Sequence, residues 1–224
     1  MSRGRQISRL RLKPPTPDAQ AQYLLEWSAK ALRGGLQDFP QLTSEALFGN
    51  DLPLEVEIGP GTGEYLCDLA GRHEGRNYLG IEASRKAVYY AVNAAAERGL
   101  ANLRFIRANV KLLYPLMVSE SWAGVYLHFP DPVHKRKDEK RRVFDQAFLD
   151  RMADVLAPGG QISVVSDNEG FFAEMLALAE GERRFRFVEG ARGGVEFQPE
   201  QKSRFQLFWE GKGVRARRFL IERV

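Results

Sequence analysis

The segment best suited to chemistry is an aspartate held between two prolines and followed by a run of positive charge. Asp131 stands between Pro130 and Pro132, directly after the apolar run at residues 123–128. The prolines fix φ, and the second disfavours the helical region for the aspartate, so this carboxylate has little conformational freedom. The segment is either the solvated start of a charged helix or a site where a rigid carboxylate meets a polyanion, and the rigidity of the acid favours the second interpretation. The basic residues that follow are Lys135, Arg136, Lys137, Lys140, Arg141 and Arg142.

A glycine-rich turn is the second feature. The sequence LEVEIGPGTGEYL places Gly59, Gly61 and Gly63 between a predicted strand and a predicted helix, where glycines let the backbone turn sharply and approach a ligand. A dinucleotide fingerprint requires G-x-G-x-x-G, and Glu64 occupies its third glycine position. Glu57 would repel a pyrophosphate, whereas it could attract, directly or through water, the ammonium of a methionine-like group. The turn therefore favours S-adenosylmethionine over a nicotinamide cofactor.

Polar residues follow the next two predicted strands. Glu82 ends the strand at residues 77–82, where a carboxylate can accept hydrogen bonds from both hydroxyls of an adenosine ribose. Asn109 follows the strand at residues 102–107, where an amide could contact the edge of an adenine. Either residue alone is typical of a solvated strand end. The succession of glycine turn, acid and amide predicts S-adenosylmethionine, because ligands of open parallel sheets bind at the carboxyl ends of the strands.

Strand-like runs alternate with longer segments of helical periodicity, which predicts βαβ units. The predicted strands are LEVEI, NYLGIE, NLRFIR, GVYLHF and QISVVS, and the predicted helices include residues 85–98, 141–156 and 169–179, with a turn at residues 158–160. Two later strands, at residues 185–188 and 214–221, would form an antiparallel edge. We therefore predict an α/β, Rossmann-like fold with a mostly parallel seven-stranded sheet and helices on both faces.

The amino terminus differs in composition from the rest of the chain. Residues 1–17 carry Arg3, Arg5, Arg9, Arg11 and Lys13 before a proline-rich end, which predicts an extended basic arm or a disordered terminus. From Asp18 the pattern predicts one helix that includes Leu32 and is ended by Gly34 and Gly35. Residues 18–224 are expected to form a single domain.

Composition excludes several classes of protein. The formal net charge of the 224 residues is only +4, which permits a nucleic-acid partner without requiring one. The single cysteine, Cys67, excludes an intramolecular disulfide, argues against a zinc site and favours the reducing cytoplasm. No apolar run approaches the roughly 20 residues of a membrane span, and the first residues lack the hydrophobic core of a signal peptide. We expect a cytoplasmic protein without a metal or a membrane.

Residues 54–224 resemble the bacterial tRNA (guanine-N7-)-methyltransferases, whose signature after the fourth strand looks like FPDPW-[HP]-K-x-R-H-x-K-R-R. Matching positions here are residues 129–132, 134–135 and 140–142, and the glycine turn, the GIE at residues 80–82 and the basic arm also resemble that family. The resemblance implies the seven-stranded class I methyltransferase fold. It also implies methyl transfer from S-adenosylmethionine to a guanine in the variable loop of tRNA.

By position, the resemblance assigns roles to individual residues. Asp131 would be the catalytic residue and would also lie beside the cofactor, together with Glu57, Gly59, Gly61, Gly63, Glu82 and Asn109. Lys135, Asp167, Ser203, Arg204 and Gln206 would contact the substrate. Phosphates of the RNA would be contacted by Arg136, Lys140, Arg141 and Arg142.

Several positions depart from the family pattern. Val133 stands where the family usually has tryptophan, Asp138 where it has histidine and Asn109 where aspartate is common. Residues 166–168 read SDN instead of TDW, and residues 203–206 read SRFQ instead of TKFE. These departures leave two alternatives open: a tRNA-binding protein with drifted or lost activity, and a methyltransferase acting on a small molecule. We expect a monomer or homodimer that needs no obligatory protein partner.

Overall fold

The computed structural model describes residues 9–132, 142–191 and 194–224. The helices within these ranges are α1 (Pro17–Tyr23), α2 (Ala29–Gly34), α3 (Ser44–Phe48), α4 (Glu64–Arg72), α5 (Arg85–Arg98), α6 (Gln146–Val155), α7 (Glu169–Glu180) and α8 (Arg204–Glu210). The strands are β1 (Leu24–Glu26), β2 (Leu54–Ile58), β3 (Asn77–Glu82), β4 (Leu103–Arg107), β5 (Trp122–His128), β6 (Leu156–Ser166), β7 (Phe185–Phe187), β8 (Val195–Glu196) and β9 (Arg217–Arg223). Two short 3₁₀ helices, Val110–Leu112 and Tyr114–Leu116, connect β4 to β5.

The described strands form one sheet in the order β1-β4-β3-β2-β5-β6-β9-β7, and β8 also pairs with β9. The pairs from β1 to β6 are parallel, whereas β9 runs antiparallel to β6, β7 and β8. The run from β4 to β7 contains the seven predicted strands. The predicted sheet, mostly parallel with an antiparallel edge, is therefore confirmed, and β1 and β8 extend it.

Alternating side chains give the sheet two buried faces. On β3, Leu79 and Ile81 pack in a cluster with Phe148 of α6 and Phe172 of α7. Tyr78 faces the other way and packs in a second cluster, which includes residues of α1, α4 and α5. Helices α6 and α7 therefore cover one face of the parallel part, and α1, α4 and α5 cover the other, as predicted.

The prediction of one helix from Asp18 to beyond Leu32 was wrong. Helix α1 ends at Tyr23, and the next three residues form β1, which pairs with β4 in the register Leu24 to Phe105. An ion pair of 2.6 Å between Glu26 and Arg107 joins the two strands. Helix α2 then begins anew, with Ser28 as its N-cap. The free edge of β4 outweighed the helical pattern of this segment.

Three other predicted boundaries moved. The turn at residues 158–160 lies within β6 as an irregularity: Trp122 is opposite Leu156, but Gly124 is opposite Gln161. The helix predicted from residue 141 begins at Gln146, because the side chain of Asp145 accepts a hydrogen bond from the amide of Phe148 and caps it there. The last strand, β9, begins three residues later than predicted. Helix α8 was not predicted.

The described part of the basic arm lies against the domain. The carbonyl oxygen of Lys13 accepts a hydrogen bond from the Asn93 side chain on α5 (3.1 Å), and Pro15 is buried. Arg3 and Arg5 lie outside the described residues. No helix in the described ranges is both long and apolar enough to cross a membrane.

Candidate active site

The candidate site is assembled at the carboxyl edge of five neighbouring parallel strands. In the sheet, the five strands lie in the order β4-β3-β2-β5-β6. Asn109 follows β4, Glu82 ends β3, the glycine turn follows β2, Asp131 follows β5 and Asp167 follows β6. The sequence predicted that the residues of successive strands would share this edge, and the topology confirms their placement. Their roles toward ligands are considered below.

The glycine turn joins β2 to α4 and needs glycine at each of its three positions. Gly59, Gly61 and Gly63 have φ values of 75°, 63° and 83°, which side chains strongly disfavour. An added Cβ on Gly63 would also lie 2.7 Å from the Cβ of Ala91 on α5. The turn can therefore present its backbone closely to a ligand only with these glycines in place.

Glu82 fixes the turn from the neighbouring strand. One carboxylate oxygen accepts a hydrogen bond from the amide of Gly61 (3.1 Å), and the other accepts one from the amide of Ser84 (2.8 Å). The residue is buried at 9% exposure. Since each carboxylate oxygen has two lone pairs, Glu82 retains acceptor capacity for the hydroxyls of a ribose.

Glu57 places a second carboxylate beneath the turn. It is 3% exposed, and burial together with the charge of Glu57 raises the pKa of the Tyr65 hydroxyl above its usual range. A buried carboxylate interacts more strongly with a cation that enters beside it than an exposed one does. Glu57, Glu82 and the glycine turn thus fit the ammonium and ribose of S-adenosylmethionine.

Asn109 has a local task in addition to the predicted one. Its side-chain oxygen accepts a hydrogen bond from the amide of Lys111 (3.0 Å) and caps the first 3₁₀ helix. The residue is exposed, so its NH₂ group remains chemically suited to an adenine edge. This contact stays a prediction.

Asp131 follows β5 after an unusual backbone turn at Phe129. Phe129 has a φ of 54°, although a residue that precedes a proline, here Pro130, normally adopts an extended conformation. Its amide donates to the carbonyl of Val165 (2.8 Å), and its ring packs 5.1 Å from that of Phe205 on α8. A positive φ at a bulky residue is strained, and strain of this kind concentrates at functional sites. Asp131 itself is exposed.

An aromatic cluster that the sequence did not predict lies behind this turn. His128 is 3% exposed, and its Nε2 lies within hydrogen-bonding distance of the Ser163 hydroxyl (3.0 Å). Its ring centroid lies 4.7 Å from Tyr65 and 4.8 Å from Phe197. The two-residue alternation of β5 indicated only that His128 would face the same side as Tyr126. The cluster supports the turn at Phe129 from within the protein.

Asp167, which was predicted to contact the substrate, lines an open cavity of about 640 Å³. Glu169 and Glu196 contribute carboxylates to this cavity, and Arg215 and Arg217 contribute guanidinium groups. The cavity therefore offers both acceptors and donors beside the carboxyl end of β6.

The three predicted substrate residues near α8 have clear structural partners. Ser203 caps the helix by accepting from the amide of Gln206 (3.2 Å). Gln206 is only 1% exposed and donates to the Phe197 carbonyl (2.9 Å), so its side chain points into the protein. Arg204 lies 3.1 Å from Glu64, whose carboxylate also accepts from Thr62 (2.7 Å). Ser203 thus begins α8, Gln206 joins it to Phe197, and Arg204 joins it to the first residue of α4; their sequence did not indicate these contacts.

Of the predicted phosphate contacts, only Arg142 lies within the described residues. Its guanidinium pairs with Glu174 on α7 (2.7 Å) instead of pointing into solvent. Lys135, Arg136, Lys140 and Arg141 lie outside the described ranges, as do Val133 and Asp138.

No group of three or more metal-binding side chains occurs among the residues that the structure describes. Cys67 is a free, buried thiol, and burial raises its pKa to about 12.

Comparison with known proteins identifies the family of the chain. Residues 51–206 match the family described as "Putative methyltransferase". The chain is 38% identical over 219 residues to the tRNA (guanine-N(7)-)-methyltransferase of Rubrobacter xylanophilus, covering 98% of both chains. It is 36% identical over 219 residues to that of Chloroherpeton thalassium, covering 98% of this chain and 97% of the relative. A SAM dependent methyltransferase from Aquifex aeolicus, at 14% identity, superposes over 100% of both chains with a TM-score of 0.55 and supports the fold alone. The chain therefore belongs to the tRNA (guanine-N(7)-)-methyltransferase family.

Proposed function

We propose that this chain transfers the methyl group of S-adenosylmethionine to N7 of a guanine in the variable loop of tRNA. Its membership of the family makes it a methyltransferase with S-adenosylmethionine as the donor. The observation that carries the proposal is the position of Asp131 just after β5, because β5 pairs directly with β2, the strand that leads into the glycine turn. An aspartate constrained by two prolines and the glycine turn thus follow neighbouring strands at one edge of the sheet.

The cofactor would supply an electrophilic methyl group on a sulfonium. Glu57 would face its ammonium, Glu82 its ribose hydroxyls and Asn109 its adenine edge, while the glycine turn would allow the backbone to approach. Glu57 suits a cationic donor without phosphates, because its carboxylate would repel a pyrophosphate.

The reaction asks for positioning more than for proton transfer. Guanine N7 has an in-plane lone pair and loses no proton when it is methylated, so an in-line approach to the donor is the main requirement. Correct positioning is worth roughly 7–11 kcal/mol in favourable cases. Asp131 would accept hydrogen bonds from N1–H and the amino group, which orients the ring.

Asp131 would also act electrostatically. Methylation at N7 places positive charge on the purine, and a carboxylate on the opposite edge stabilises that charge as it develops. General-base catalysis at N1, typically worth about 10²–10⁴-fold, would be a separate contribution of the same carboxylate. Both contributions require the carboxylate to be ionised.

The RNA backbone would be held by basic residues of the arm and of the segment after Asp131. These are Arg3, Arg5, Arg9 and Arg11 of the arm and, after Asp131, Arg136, Lys140 and Arg141. Such contacts fix the register of the RNA without reading its bases. We place the enzyme in the cytoplasm, where a tRNA substrate is available, as a monomer or homodimer.

The proposal is tested by incubating the protein with labelled S-adenosylmethionine and unmodified tRNA transcripts, followed by nucleoside analysis. We expect 7-methylguanosine in the variable loop. Binding of tRNA without methyl transfer would instead favour a tRNA-binding protein that has lost activity. Methylation of a small molecule without any dependence on RNA would favour the other alternative.

A further inference from the structure

Arg142 makes three contacts within the chain, although its sequence context suggested a contact with RNA. Its Nε donates to the carbonyl oxygen of Pro132 (3.2 Å), and its Nη1 donates to the carboxylate of Glu174 on α7 (2.7 Å). The guanidinium carbon lies 5.2 Å from the centroid of the Phe171 ring. Its side chain is 24% exposed. The guanidinium is thus held by α7 and by the segment that carries Asp131.

The contact with Pro132 is important because this segment has few backbone donors. Pro130 and Pro132 have no N–H, so neither residue can donate a backbone hydrogen bond, and the carbonyl of Pro132 is the backbone group through which that residue can be held. At its start, the amide of Phe129 donates to Val165 on β6 (2.8 Å). At its end, the Pro132 carbonyl accepts from Arg142. Asp131 lies between these two attachments.

The geometry also requires arginine specifically. A planar guanidinium can donate to a carbonyl and a carboxylate at fixed angles while its face covers an aromatic ring, which a lysine ammonium cannot reproduce. These hydrogen bonds use Nε and one hydrogen of Nη1, and both are charge-assisted. The side chain is engaged in positioning the loop before any RNA binds.

We propose that Arg142 is a positioning residue for the reaction: it joins Pro132 to α7 and thereby fixes Asp131 at the carboxyl end of β5. The proposal rests on the proposed function, because it assumes that the position of Asp131 determines the rate of transfer. It replaces the prediction that Arg142 contacts a phosphate of the RNA.

The test compares Arg142→Lys with Arg142→Gln in steady-state methylation of tRNA. Lysine keeps the charge that a phosphate contact needs but loses the planar fork, so the two roles predict different results. We expect kcat to fall about tenfold in both variants, while KM for tRNA stays within about twofold. The proposal would be overturned if Arg142→Lys had a near-normal kcat and KM while Arg142→Gln had a raised KM for tRNA. In that case the slope of log tRNA affinity against log salt concentration should also be smaller by about 1 in Arg142→Gln.

Glu174→Gln separates the two roles further. It removes the carboxylate that holds the guanidinium but leaves Arg142 itself intact. If Arg142 positions the loop, kcat falls, and combining Glu174→Gln with Arg142→Lys adds little to the effect of Arg142→Lys alone. If Arg142 contacts RNA, loss of a nearby negative charge leaves tRNA binding unchanged or tighter and kcat normal.

Hydrogen exchange of the Phe129 and Asp131 amides provides a readout that does not depend on methyl transfer. We expect exchange to become faster in Arg142→Lys and to stay normal in the control Arg151→Lys, whose arginine pairs with Asp154 (3.2 Å) and lies over the Tyr114 ring. Unchanged exchange in Arg142→Lys would overturn the proposal even if activity fell. If exchange were faster in Arg142→Lys but the wild-type protein methylated no tRNA, the attachment of the loop by Arg142 would be supported and the proposed function refuted.

Discussion

Gly63→Ala tests whether the glycine turn depends on the close packing of α4 against α5. Alanine at a φ of 83° costs about 1–2 kcal/mol because its Cβ approaches the following carbonyl. The new Cβ would also lie 2.7 Å from the Cβ of Ala91, an overlap that real Cβ contacts do not tolerate. Overpacking of this kind typically costs about 1–3 kcal/mol more. We therefore expect the free energy of unfolding to fall by about 2–5 kcal/mol.

Gly99→Ala is the matched control for this prediction. Gly99 has a φ of 65° at the end of α5, and no described atom lies within 4 Å of an added Cβ. Gly99→Ala should therefore pay only the conformational cost of about 1–2 kcal/mol. Urea denaturation measures both variants, and calorimetric titration with S-adenosylmethionine should show weaker binding in Gly63→Ala alone. Equal stability of the two variants, with unchanged cofactor binding, would refute the packing argument.

Three further predictions concern the cofactor, the RNA and the buried thiol. Glu82→Gln removes the charge that holds Gly61 and should raise the S-adenosylmethionine Kd about tenfold by calorimetry, whereas an unchanged Kd would exclude Glu82 from the site. The affinity for tRNA should fall steeply with salt concentration in filter binding, and a flat response would remove the phosphate contacts. Because burial raises the pKa of Cys67 from 9.0 to about 12, the folded state keeps the proton that the unfolded state loses. This contribution to the free energy of unfolding should therefore be constant below pH 9 and fall as the pH rises toward 12, and native-state alkylation at pH 8 as fast as in urea would contradict the burial.

The sheet could be predicted because its signals are local. LEVEI alternates apolar and acidic residues, and NYLGIE has an apolar centre; the order in which such strands alternate with helices restricts the topology to a few choices. β1 could not be predicted in the same way. Its three residues, Leu24–Glu26, are a strand only because β4 offers a free edge, and that edge exists only after the sheet has formed.

The polar residues of the site were predictable where their placement followed from strand ends. Asp131, Glu82 and the glycines could be placed at one edge because parallel strands present their carboxyl ends together. The positive φ of Phe129 could not be foreseen, since Pro130 disfavours it and the interactions that accompany it, a hydrogen bond to Val165 and ring packing on Phe205, are tertiary.

The side chains of Gln206 and Arg142 illustrate a different limit. Both were predicted to face the substrate because of the motifs that contain them. The structure gives them partners that the motifs did not indicate: Gln206 donates to the Phe197 carbonyl, and Arg142 pairs with Glu174, which lies 32 residues further along the chain. Such partners depend on tertiary packing, so sequence spacing alone cannot reveal them.

The dependence of methyl transfer on Asp131 is the most direct test of the account. Single-turnover transfer to tRNA should be measured for wild type, Asp131→Ala and Asp131→Asn, with the exposed Asp51→Asn as a control and with S-adenosylmethionine affinity determined in parallel. We predict that both Asp131 variants retain the fold and most of their cofactor affinity while the rate falls at least about 100-fold, and that the control is normal. A rate within a few-fold of wild type in Asp131→Ala would contradict the central claim that this carboxylate acts on the guanine.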